Sequence, residues 1–145
     1  MIKGIHHPGI GVRDMETSLR FYRDLLGLTV SADMELEGPV LDDIVGLKEA
    51  KVRIVHLKCS DNQEVELFEY TKPASSTFPK DYRQCDGGII HVAFRVDNLM
   101  ELCRKLKDNG VKFNSEPYDL GGTLCVYLHD PDGITIELLQ PDVDS

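Results

Sequence analysis

The chain repeats itself, and the repeat limits what it can fold into more than any other feature. Residues 4–12 read GIHHPGIGV and residues 88–96 read GIIHVAFRV. At a constant offset of 84, Gly4 matches Gly88, Ile5 matches Ile89, His7 matches His91 and Val12 matches Val96. A second pair of segments, VHLKCSDNQEVEL (55–67) and VYLHDPDGITIEL (126–138), aligns at an offset of 71. There Val55, Leu57, Asp61, Glu66 and Leu67 match Val126, Leu128, Asp132, Glu137 and Leu138. Self-similarity at a fixed period means one supersecondary unit used twice. The chemistry-bearing residues duplicated with the scaffold are an imidazole and a carboxylate in each copy.

Each copy is too short to stand comfortably alone. A unit of about 70 residues buries only ~60% of its unfolded surface. The two modules, about 1–70 and 88–141, with a linker at about 71–87, are therefore expected to share one core as a single domain over 1–145. The linker, TKPASSTFPKDYRQCDG, is marked by two prolines and a lack of periodicity.

Within each module the pattern reads β-α-β-β-β. In the first, residues 5–12 form an apolar run, Asp14 caps a helix with apolar residues at helical spacing, and Gly27 ends it. A strand over 28–36 follows, then a loop with one helical turn, then a hairpin of 51–58 and 64–70. The second module repeats the order. It has a strand over 89–96, a helix capped by Asp97 or Asn98 and ending at Gly110, a short strand over 111–114, and a hairpin of 123–129 and 134–139. A mobile loop over 116–122, freed by Gly121 and Gly122, is expected before the last hairpin. The fold class is α+β.

Composition excludes several functions. The net charge of −9 disfavours nucleic acid and anionic membrane, which bind through basic patches. No apolar run reaches the ~20 residues of a membrane span. The opening MIKGIHHPGIG lacks the long apolar stretch of a secretory signal, so a cytoplasmic location is expected. The four cysteines show no paired spacing and read as free thiols, with Cys103 in the core. No glycine-rich phosphate loop is present.

One inward polar residue on each of four strands can converge on a point, because side chains alternate across a strand. His7 and His91 occupy the same place on the opening strands, and Glu66 and Glu137 the same place on the closing ones. Two neutral imidazoles and two carboxylates balance a dication. They leave one or two positions open on Ni²⁺, Co²⁺, Mn²⁺ or Fe²⁺, and Zn²⁺ can expand its coordination to match. A glutamate within an apolar strand, as in ITIELL and EVELF, demands a partner. Taken singly, each also reads as a solvated edge residue, and the duplication argues against that. Among the neighbours, Glu64 shares the parity of Glu66 and ranks second. His6 points to the opposite face, Glu69 is solvated, and His56 and His129 are structural or surface residues. Tyr118 reads as a surface tyrosine and Cys125 as an inert buried thiol.

The segments IHHPGIGVRDMETSLRFYRDLLGL, VELFEY, GIIHVAFRVDNL and HDPDGITIELLQP resemble the vicinal oxygen chelate superfamily over nearly the whole chain. Within it the chain is most similar to glyoxalase I and methylmalonyl-CoA epimerase. The resemblance implies paired βαβββ modules in an open, cup-like β-barrel with helices outside. It implies one divalent metal (Zn, Ni, Co, Mn or Fe) on His7, Glu66, His91 and Glu137, a small-molecule substrate with vicinal oxygens, and a homodimer. Glu137 is the first choice as catalytic base and Glu66 the second. The implied activity is that of a lyase or isomerase that stabilises an enolate. A ring-cleaving Fe²⁺ dioxygenase, or a metal-free protein that sequesters a drug, is the alternative.

Overall fold

The computed structural model describes residues 1–78 and 82–141. The middle of the expected linker, 79–81, and the final residues 142–145 lie outside that description. The chain divides into two compact units, Met1–Phe78 and Pro79–Ser145, and the division falls inside the expected linker. Each unit holds one four-stranded mixed sheet. Among the described residues no helix is long and apolar enough to cross a membrane.

The first unit contains β1 (Gly9–Gly11), α1 (Met15–Leu19), β2 (Thr29–Glu37), α2 (Pro39–Val45), β3 (Lys51–Lys58) and β4 (Glu64–Lys72). The sheet order is β1-β4-β3-β2, with β1 parallel to β4 and the other pairs antiparallel. Asp14 caps α1 by accepting the Thr17 N–H at 2.8 Å. The helix then widens into a π-helical turn over Arg20–Leu25, as in the Leu26 N–H to Phe21 carbonyl bond. α1 packs on β4, and the buried residues Val55, Leu57, Val65 and Leu67 belong to one face of the hairpin. Alternation sends His56, Glu64, Glu66 and Phe68 to the other face.

The second unit repeats this plan with β5 (Val92–Arg95), α3 (Leu99–Asp108), β6 (Tyr118–Asp119), β7 (Leu124–His129) and β8 (Thr135–Gln140). Its order is β5-β8-β7-β6, and β5 is again parallel to the closing strand. Of the two candidate caps for α3, Asn98 serves, accepting from the Glu101 N–H at 3.3 Å. α3 packs on β8 through a stripe that includes the buried Leu99, Cys103 and Leu106. The β7–β8 turn is fixed by Asp130, whose Oδ1 accepts the N–H groups of Asp132 and Ile134 at 2.9 and 2.8 Å.

Several expectations are corrected. The sheets are open, each with two edge strands, and are not closed into a barrel. The opening strands contract to three and four residues; Pro8, which has no N–H, precedes the first. The expected single helical turn is a seven-residue helix, α2, with Pro39 at its start and Gly46 in the left-handed conformation at its end. Residues 112–114 form no regular strand and join β7 through the Asn114 and His129 N–H groups, the His129 side chain and one isolated bridge at Phe113. The strand in the expected fourth position is instead Tyr118–Asp119, within the segment read as a mobile loop. Its turn is closed by Leu120 N–H to the Thr123 carbonyl at 2.8 Å and Gly122 N–H to Asp119 Oδ1 at 2.7 Å.

Candidate metal centre

The first unit brings His7 and Glu66 together. His7 precedes β1, and Gly9 of β1 lies in register with Glu66 on β4. This sets His7 Nε2 3.2 Å from Glu66 Oε2. The glutamate side chain is only 11% exposed. A carboxylate so far out of water needs a cation or proton beside it, since its unpaired burial costs several kcal/mol. The other oxygen, Oε1, faces His56 Nδ1 at 3.5 Å, and His56 also lies 3.7 Å from Glu64 Oε2. His56, Glu64 and Glu66 together offer ligand atoms within 4.8 Å of one another, a group that could hold a metal ion. Burial disfavours the charged form of Glu64. The Ser31 hydroxyl, the Lys58 ammonium and His56 outweigh it and hold the carboxyl below its usual range.

The second unit repeats the pairing. His91 Nε2 lies 3.2 Å from Glu137 Oε2, and the Glu137 side chain is 12% exposed. The remaining oxygen, Oε1, accepts from the Cys125 thiol at 3.2 Å. Burial, then the adjacent Glu137, pushes that thiol up to about 11, so Cys125 keeps its proton to donate. Tyr127 stands directly opposite Glu137 in the β7–β8 register. Burial and that carboxylate raise its hydroxyl above the ordinary phenol value. Its ring meets the His91 ring edge-on, with centroids 5.3 Å apart.

In both units an imidazole Nε2 and a carboxylate oxygen converge, an arrangement of electron-pair donors suited to a divalent cation. The fit is a matter of donor chemistry, His7 with Glu66 and His91 with Glu137.

Three neighbours behave differently from the sequence reading. His56 is part of the polar cluster around Glu66, neither merely structural nor merely surface. His6 is not turned away from His7, since the two Nδ1 atoms lie 2.7 Å apart. Tyr127, which pairs with His56 in the repeat and reads with it as a structural or surface residue, stands beside His91 and Glu137. A signal for His56 and Tyr127 existed in the repeat: they match at the offset of 71 and stand directly opposite Glu66 and Glu137 in register. His129 does serve a structural end, pairing with Asn114 Oδ1 at 2.7 Å.

The chain matches the family model described as Glyoxalase/Bleomycin resistance protein/Dioxygenase superfamily over residues 4–138. It is 30% identical over 137 residues to a probable lactoylglutathione lyase of Synechocystis sp., covering 92% of each chain. It is 29% identical over 141 residues to the mitochondrial methylmalonyl-CoA epimerase of Mus musculus, covering 94% of this chain and 72% of the relative. Among solved structures, a glyoxalase family protein from Bacillus cereus superposes with a TM-score of 0.89 at 20% identity, covering 97% of this chain and 95% of that one. At that identity the likeness is one of fold.

Proposed function

The chain belongs to the Glyoxalase/Bleomycin resistance protein/Dioxygenase superfamily, and within it we propose that it is a metal-dependent lyase or isomerase of the glyoxalase I or methylmalonyl-CoA epimerase type. On the superfamily resemblance, His7, Glu66, His91 and Glu137 would hold one divalent cation, Zn, Ni, Co, Mn or Fe. The observation that carries this reading is the duplicated Nε2-to-Oε2 approach of 3.2 Å in each unit. Relatives named as a lyase and as an epimerase, at 30% and 29% identity, support the reaction class.

Once bound, the ion supplies Lewis acidity to two neighbouring oxygens of a small substrate. The chain's own residues handle the proton. Glu137 is the base: Cys125 holds its Oε1, so Oε2, the oxygen that would also hold the ion, would give up that place to take a proton from carbon. The same carboxyl returns that proton to the same or the adjacent carbon. Positioned general-base work of this kind contributes ~10²–10⁴-fold. Glu66, whose oxygens face His7 and His56, is the second candidate.

The reading includes a homodimer. Ile5 and Ile89, equivalent in the repeat, are 95% and 87% exposed. A bare isoleucine beside each histidine fits a surface that a second copy covers, and sedimentation of the purified chain measures this directly.

The deciding experiment strips the protein with chelator and restores Zn²⁺, Ni²⁺, Co²⁺, Mn²⁺ or Fe²⁺ one at a time. Each form is assayed on a hemithioacetal and on a 2-acyl thioester. Turnover that returns with one or more metals, and fails in the Glu66→Gln, Glu137→Gln double variant, is the expected result. Activity indifferent to both treatments would overturn the proposal.

A further inference from the structure

The loop ahead of β5 contains a fixed support for one of the two histidines. His91 presents Nε2 to Glu137, while its Nδ1 lies 3.1 Å from Gln84 Oε1. The amide of Gln84 has only one workable orientation. Its Nε2 donates to the Ile90 carbonyl at 2.9 Å. A carbonyl only accepts, so the amide nitrogen must face Ile90 and the amide oxygen must face His91. That oxygen in turn only accepts. The His91 Nδ1 must therefore carry the hydrogen, and Nε2 is the nitrogen left with its lone pair.

The loop itself is tied down on both sides of Gln84. The Arg83 N–H donates to Asp86 Oδ2 at 2.8 Å, and the Arg83 guanidinium reaches Asp86 Oδ1 at 2.9 Å. The Tyr82 hydroxyl donates to the Gly87 carbonyl. Among the described residues His7 has no comparable device. Its Nδ1 meets His6 Nδ1, a ring nitrogen that donates or accepts according to tautomer and so dictates nothing.

We propose that Gln84 is a positioning residue that fixes His91 with its hydrogen on Nδ1, leaving Nε2 as the ligand to the cation. This rests on the reading of His91 as a metal ligand. Gln84 touches neither metal nor substrate. Its role is to hold the ring's rotation and tautomer from behind, the kind of outer contact whose loss typically costs about 10–100-fold in metal affinity.

The test compares the wild-type chain with Gln84→Met, Gln84→Glu and His91→Ala by competition for Zn²⁺ against a chromophoric chelator. Both Gln84 variants lose the bond to Ile90, but only glutamate still offers His91 an acceptor. The expected result is a loss of about 10–100-fold in Zn²⁺ affinity for Gln84→Met and near wild-type affinity for Gln84→Glu. Melting of the metal-free proteins reports separately on folding. Equal weakening of both Gln84 variants would assign Gln84 to loop structure instead, and no weakening in Gln84→Met would remove its role; either overturns the proposal. If the wild-type chain takes up no Zn²⁺, or His91→Ala binds as well as wild type, the metal-ligand reading itself fails. That outcome is distinct from one in which His91 matters and Gln84 does not.

Discussion

His56 stands directly across the β3–β4 ladder from Glu66, its Nδ1 3.5 Å from Oε1. The two oxygens of Glu66 therefore face two imidazoles, His7 on one side and His56 on the other. In the proposed function His7 is a ligand and His56 steadies the carboxylate. His56→Phe should then weaken metal binding by about 10-fold, and His7→Ala should weaken it more. Metal competition on the two variants decides the matter. If His56→Phe abolishes binding and His7→Ala leaves it intact, the cation belongs to His56, Glu64 and Glu66 instead.

The two glutamates are expected to separate kinetically. Glu137→Gln removes the oxygen assigned to proton transfer, and kcat should fall ~10²–10⁴-fold. Glu66→Gln keeps an oxygen donor toward His7 and should cost less. Steady-state kinetics on whichever substrate class proves active provides the check, with metal content measured on the same samples. An inverted order would transfer the base to Glu66.

The visibility of these features in the sequence follows from how local their causes are. The β3–β4 hairpin was legible because Val52, Ile54, Val55, Leu57, Val65 and Leu67 form an apolar pattern that needs burial. The caps at Asp14 and Asn98 were legible because they act on the next turn of chain. His7, Glu66, His91 and Glu137 stood out because they were duplicated, and each unit does pair its imidazole with its carboxylate. The role of His56 depends on hairpin register, which is a non-local property even though the repeat contained the arithmetic. Tyr118–Asp119 is too short a strand to show any period. Gln84 lies in a stretch with no periodicity, and only the folded loop brings its amide to His91.

A pH dependence follows from the ion pair between β2 and β3. Arg53 donates to Asp33 through Nε at 3.0 Å and Nη2 at 2.8 Å, and to Glu16 through Nη1 at 2.8 Å. The hydrogen bonds from Arg53 hold the Asp33 carboxyl below its ordinary value of 3.8, with burial opposing them. Between the two values the unfolded chain binds more protons than the folded one. The contribution is therefore complete above the ordinary value and lost as pH falls through the lowered one. The Asp33 side chain is 42% exposed, so the pair is worth no more than about 1 kcal/mol. Asp33→Asn should melt slightly lower at neutral pH and lose less stability between about pH 5 and pH 2. Melting curves across that range check it, and parallel acid limbs would contradict it.

The duplicated glycines Gly4 and Gly88 are expected to respond differently to the same change. Gly88 adopts φ +121°, and a Cβ there would lie 2.6 Å from the Tyr82 hydroxyl, which is itself bonded to the Gly87 carbonyl. Gly88→Ala thus adds backbone strain and a clash within the loop that carries Gln84, at a cost of about 1–3 kcal/mol. A Cβ at Gly4 meets nothing within 4 Å, so Gly4→Ala should stay within about 0.5 kcal/mol of wild type. Because Gly88 lies between Gln84 and His91, Gly88→Ala should also weaken Zn²⁺ binding, while Gly4→Ala should not. Melting and chelator competition on the two variants read both effects. Equal behaviour of the two would mean that the 82–88 turn does not hold the second histidine in place.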